Sequence, residues 1–172
     1  MNAEYSKSVK EGLVDKDGII KLDFIKNSKY PQMIANEMNK ATPKLSQKQA
    51  RSFYNVVNEI YINVIMGSMS MREAIVELTM LSSRVNDKLN KGSVSEDFKE
   101  FIEMNVEAVT DEKSLKAFVL HFEAVYNNLK EVNGANNRGY NGHNSNGHYN
   151  NSYNNRPQGQ NRQNSNYQKK NR

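Results

Sequence analysis

Apolar positions between Tyr30 and Val132 recur at helical spacing, interrupted where capping residues stand. Ala50, Phe53, Val57, Ile60 and Val64 follow one another at steps of three and four, so they share one face of a helix that starts after Ser46. The opposite side of that helix carries Lys48, Arg51, Asn55 and Asn58. From Ile60 to Met66 the helix is apolar nearly all round, because Ile62 breaks into the polar face. A shorter helix follows Pro31, with Met33, Ile34 and Met38 as its apolar positions. The next long one starts at Ser70, whose Ser-Met-Arg-Glu is a capping box. It runs to about Leu89 and buries Ala74, Leu78, Leu81, Val85 and Leu89. A Lys-Gly pair then breaks the chain. A fourth helix follows Ser93, with a capping box closed by Glu96, and buries Phe98, Phe101, Ile102 and Val106. A fifth, capped by Thr110, buries Leu115, Phe118, Val119, Phe122 and Val125 and ends at Gly134. Short connections between five helices predict an all-α fold, a compact bundle over residues 30–133.

The flanks differ in kind. Residues 1–29 are weakly patterned, with a small hairpin expected in GLVDKDGIIKLDF around an Asp17-Gly18 turn. The DKDG group lacks the further ligands and closing Glu of a calcium loop. Residues 134–172 contain 13 Asn and no Val, Ile, Leu, Phe or Met. Without apolar surface to offset the entropy cost of ordering, this tail is expected to be disordered, and its spaced Arg and Tyr resemble RGG-like tails.

The tail also changes how the charge reads. The chain's formal +5 belongs to it: residues 134–172 hold four Arg, two Lys and no acid, whereas the first 133 residues hold 18 basic and 19 acidic side chains. A basic patch on the bundle must therefore come from the placement of charges rather than their excess. There is no cysteine, no secretory leader and no membrane-length apolar run, which points to a soluble, cytoplasmic protein without disulfides.

Catalytic chemistry finds little to build on. The sequence has no Gly-rich phosphate loop, no His pair at ligand spacing and no G-x-S-x-G, so no cofactor or metal is expected. His121, beside Phe122, reads as a surface or packing residue. His143 and His148 lie in the tail, outside any structured site. Glu73 closes a cap, Asp111 and Glu112 sit in a first turn, and Glu77, Glu100 and Glu103 read as solvated faces.

The basic side of the helix after Ser46 is more informative. Lys44 precedes the cap, Gln47 opens the helix, and Lys48, Arg51 and Asn55 follow near its positive dipole end. Arg can fork onto phosphate oxygens, and amides donate to sugar or phosphate without reading a base. Arg84 and Lys88 form an i,i+4 pair of like charge, with Lys91 one turn on, and such a pair repels unless an anion meets it. Lysines and arginines facing solvent on an amphipathic helix need no function, so this pattern alone leaves a solvated face and an RNA contact both open.

Three stretches resemble the small helical subunit of type III-A CRISPR effector complexes, the Csm complex. Lys44-Leu45-Ser46, Gln49-Ala50-Arg51 and Phe53 resemble that family's K-[IL]-[TS]-x-x-Q-[IL]-R-x-F opening. Leu81 to Val85 resembles its L-K-P-K-L segment, with Arg84 at a basic position and Ser82-Ser83 in place of Lys-Pro. Phe118 to Val125 resembles its closing F-x-x-[FY]-F-E-A-[IV] helix, where Glu123 reads as an acid paired inside the bundle. The resemblance covers roughly residues 30–132. It implies a helical bundle without a catalytic site, present in several copies along a ribonucleoprotein with large and backbone subunits. Its basic faces would line the path of the guide (crRNA) and target RNA. Carried over, Lys44 and Arg51 are the leading contacts and Arg84 the next. Lys48, Asn55 and Lys88 are added from the helical wheel alone.

Two other readings remain open. A helical adaptor would use Met66, Met69, Met71 and Met80, which lie off the core stripes, as a groove for protein partners. An enzyme would need a convergent set of groups that the sequence does not display.

Overall fold

The computed structural model describes residues 1–129. Six α-helices lie among them: α1 (Ala3–Lys10), α2 (Tyr30–Lys40), α3 (Gln47–Ile65), α4 (Met71–Asn90), α5 (Glu96–Glu107) and α6 (Glu112–Asn128). A single 3₁₀ turn, Leu22–Phe24, separates α1 from α2. The fold is all-α, as the periodicity predicts, and α2 to α6 are the five expected helices. α6 ends at Asn128, before the expected Gly134, because Leu129 turns extended with ψ at 130° and its side chain is buried; the tail lies outside the described residues.

Most helix starts follow the local chemistry. Ser46 caps α3 by accepting from the Gln49 amide at 3.2 Å, while the Gln49 side chain accepts from the Ser46 amide at 3.0 Å. Gln49 also donates to the Ser93 carbonyl at 3.0 Å, which ties the start of α3 to the α4–α5 connection. Ser70 and Glu73 form the same box on α4. Two starts are shifted. α5 is capped by Ser95, not Ser93, so Glu96 is its first residue rather than the far side of a box. α6 is capped by Asp111, not Thr110, in a box completed by Ser114. In both cases several cap-competent residues stand together, and the first apolar residue that must face the core selects among them.

α3 and α4 end alike. Gly67 and Gly92 adopt φ of 71° and 63°, and each lets the chain reverse. The Gly67 amide returns to Val64 and the Ser68 amide to Asn63; the Gly92 amide returns to Leu89 and the Ser93 amide to Lys88.

α6 is the central element. It packs against α2 and α3, while α4 packs against α5 and α3. Its buried residues include Leu115, Phe118, Val119, Phe122 and Val125. Phe122 meets Phe101, Phe118, Phe98 and Tyr54, and Phe53 packs on Phe98 at 5.1 Å. Each fully buried aromatic contributes about 2–3 kcal/mol of transfer free energy. Phe53, Val64, Leu89 and Val106 are half-buried at the margin of this core.

The N-terminal segment departs furthest from expectation. Its weak pattern hides α1, whose Tyr5 and Val9 are buried, followed by fully buried Leu13. The expected hairpin reduces to one antiparallel bridge, Val14 to Ile20, closed around Gly18 at φ 77°. Glu123 also departs: it is exposed on α6, not paired inside the bundle.

Candidate nucleic-acid interface

α3 is divided along its length. Lys48, Arg51 and Asn55 are exposed along its first half, as is Lys44 just before the cap, and Asn58 is half-buried. Farther along, Ile60 is buried, but Ile62, Ile65 and Met66 are 44%, 49% and 76% exposed. No neighbouring helix among the described residues covers that apolar end. Of the adaptor methionines, Met66 and Met80 are exposed, whereas Met69 and Met71 pack against the core.

The predicted residues on α4 lie on a groove. Arg84 and Lys88 line it together with Met80, Leu81, Ser83 and Asp87, and Ser52, Phe53 and Val56 of α3 form the opposite wall. Its volume is about 530 Å³. Lys48, Ser52 and Asn55 lie along one row of α3 at spacings of four and three, so Lys48 and Asn55 flank the α3 wall. Arg51 is turned one row away, and Lys44 stands in the connection before the cap.

Ion pairing separates the cations. Among the described residues, Lys44, Lys48, Arg51 and Lys88 make no ion pair. Arg84 approaches Glu77 at 3.8 Å, with both side chains largely in water. Such a contact holds its partner by no more than about 1 kcal/mol. Lys91 is engaged by Asp87 at 2.7 Å. Cations without protein counterions keep their charge available to an anionic ligand.

The other titratable groups have structural employment. His121 is fully buried and bonded through both ring nitrogens. Its Nδ1 lies 2.6 Å from the Phe24 carbonyl oxygen, which can only accept, so Nδ1 carries the proton. Nε2 then accepts from the Tyr5 hydroxyl at 3.0 Å, and the Tyr5 oxygen in turn accepts from Asn105 Nδ2 at 2.7 Å. Burial pushes His121 down to about 4 despite the Phe24 bond, and it pushes the Tyr5 phenol up. Capping hydrogen bonds from Ser70 and Ser114 hold Glu73 and Asp111 below the ordinary carboxylate range. Among the described residues no cluster of His, Asp and Glu could hold a metal ion, and no helix is long and apolar enough to cross a membrane.

Sequence reasoning missed the α3 wall of the groove. Phe53 reads as core on the wheel, and Ser52 and Val56 read as nothing in particular. The signal was present as two facing rows, Ser52–Val56 and Met80–Arg84–Lys88, each at i,i+4 spacing. Recognising it required knowing that α3 and α4 pack side by side.

A family model described as Csm2 Type III-A matches residues 23–131, which is more than half of the chain and holds every candidate interface residue. No curated protein and no solved structure matches.

Proposed function

The chain belongs to the Csm2 Type III-A family, and on that premise we propose that it is a non-catalytic small subunit of a type III-A CRISPR ribonucleoprotein, lining the guide and target RNA path. The contacts are to the RNA backbone and independent of sequence, and the role is defence against viruses and plasmids in the cytoplasm. The observation that carries this reading is the set of cations without ion pairs at the start of α3, Lys44 just before the cap and Lys48 and Arg51 on the helix. Asn55 continues that surface along α3, and Arg84 and Lys88 extend it across the groove. The large subunit, the backbone subunits and further copies of this chain are its partners.

The test is the salt dependence of RNA binding. Each phosphate contact on a single strand contributes about 0.7 to the slope of log affinity against log salt. Replacing Lys44, Lys48 and Arg51 together with Gln should lower that slope by about two, equally for unrelated RNA sequences. The full-length chain is used for both proteins, so that the +6 of residues 134–172 is common to the two. An unchanged slope, with helix content intact by circular dichroism, overturns the assignment of these residues.

A second reading, a helical adaptor, draws on the exposed Ile62, Ile65 and Met66. Purification from native cells separates the two. Short RNA and CRISPR subunits recovered together support the first, and protein partners without RNA support the second.

A further inference from the structure

We propose that the groove between α3 and α4 receives the base of an unstacked nucleotide in single-stranded RNA, with an adjoining phosphate on Arg84 and Lys88. This rests on the RNA-binding reading above and adds to it a contact with the base itself.

The lining has two chemistries in the right order. Phe53, Val56, Met80 and Leu81 make an apolar trough, and Arg84 and Lys88 stand on one wall one helical turn apart. A base presents an apolar face with its phosphate on a flexible tether, which matches a trough with cations at its edge. Phe53 is fixed by its contact with Phe98 yet remains half-buried, so it offers a held aromatic surface to the groove. Met80 is 49% exposed and adapts to any of the four bases. Ser52, Ser83 and Asp87 are polar groups at the edge, in reach of base-edge donors and acceptors.

Size and charge favour a nucleotide over a docked helix. About 530 Å³ lies within the range of small-ligand sites, roughly 300–1,000 Å³. The α4 wall runs from Met80 to Lys88, about 12 Å, but the α3 wall only from Ser52 to Val56, about 6 Å. An amphipathic helix laid in a groove uses anchors at i, i+3, i+4 and i+7 and needs about 10 Å of apolar wall on both sides. Lys88 has no acidic partner among the described residues, which suits a phosphate.

The experiment compares the full chain's affinity for a single-stranded RNA with its affinity for the same strand carrying abasic sites. The wild type should prefer the intact strand about tenfold, as one stacked base implies. Met80→Glu and the uncharged steric block Ser83→Trp should both erase that preference, and both positions are exposed enough to leave the fold intact. A 4-thiouridine in the intact strand should crosslink to Phe53 or Met80. Equal affinity for both strands overturns the groove while leaving the RNA reading standing. Absence of binding to either strand removes the RNA reading itself. A preference that survives both variants assigns base contact elsewhere and overturns the proposal. So does a change in self-association on Met80→Glu with the preference intact, which would make the groove a protein-docking site.

Discussion

Lowering the pH should unfasten the N-terminal segment through His121. The ring is fully buried between Tyr5 and Phe24, and both of its nitrogens are committed in the neutral form. Protonation would put a second N–H at Nε2 against the Tyr5 oxygen, which already accepts from Asn105. The folded value of about 4 lies below the ordinary 6.5, so the unfolded chain binds the proton first as pH falls. The stabilisation is therefore complete above pH 6.5 and is lost progressively toward pH 4. The full span of 2.5 pH units corresponds to about 3 kcal/mol, of which about 2 kcal/mol is gone by pH 5. Urea unfolding followed by circular dichroism between pH 7 and 5 measures this. Wild type should lose stability with a slope near one proton, whereas His121→Gln, which can keep a donor and an acceptor, should be flatter by that amount. His143 and His148 are present in both proteins and cancel. Glu73 and Asp111, held low by their caps, titrate beneath this window. Glu37, raised by burial, acts in the opposite sense but equally in both proteins. Parallel slopes for the two proteins, or a native His121 that titrates near 6.5 by NMR, refute the reasoning.

The remaining predictions address other parts of the structure. Tyr5→Phe removes the hydroxyl that links Asn105 to His121 and should cost about 1–3 kcal/mol in the same urea assay, because it leaves the ring nitrogen without a donor. Ser95→Ala should cost about 1 kcal/mol, while Ser93→Ala, which removes no cap, should cost a few tenths; equal losses would show that the start of α5 is assigned wrongly. Ile62→Glu should leave the thermal midpoint of the isolated chain nearly unchanged, since the side chain is 44% exposed, and should reduce recovery of the assembled ribonucleoprotein; intact assembly would show that this apolar end is not buried by a partner.

Most of the helical plan was legible in the sequence because it is local. A helix repeats every 3.6 residues, so Ala50, Val57 and Ile60 had to share a face wherever that face pointed, and all three are buried. Ser46 and Ser70 carry their own instructions in a box closed three residues on. The exposure of Lys48, Arg51, Arg84 and Lys88 follows from the same wheel, because a charged head stays in water unless a buried partner receives it. Where local chemistry offered two answers, Ser93 or Ser95 and Thr110 or Asp111, the fold chose between them.

Tertiary structure alone decided the rest. Tyr5 and Val9 in an otherwise polar segment do not announce a helix; α1 becomes part of the core because α5, α6 and the Leu22–Phe24 turn meet the Tyr5 side chain, and Val9 is buried one turn on. His121 next to Phe122 could have faced water or core, and its burial depends on Tyr5 and Phe24 arriving from about a hundred residues away to complete its hydrogen bonds. The groove exists only because α3 and α4 lie side by side, a relation that no single helix's periodicity contains. Periodicity is a property of one chain segment and its own geometry, while pairing, burial and cavity shape are properties of how all segments pack at once.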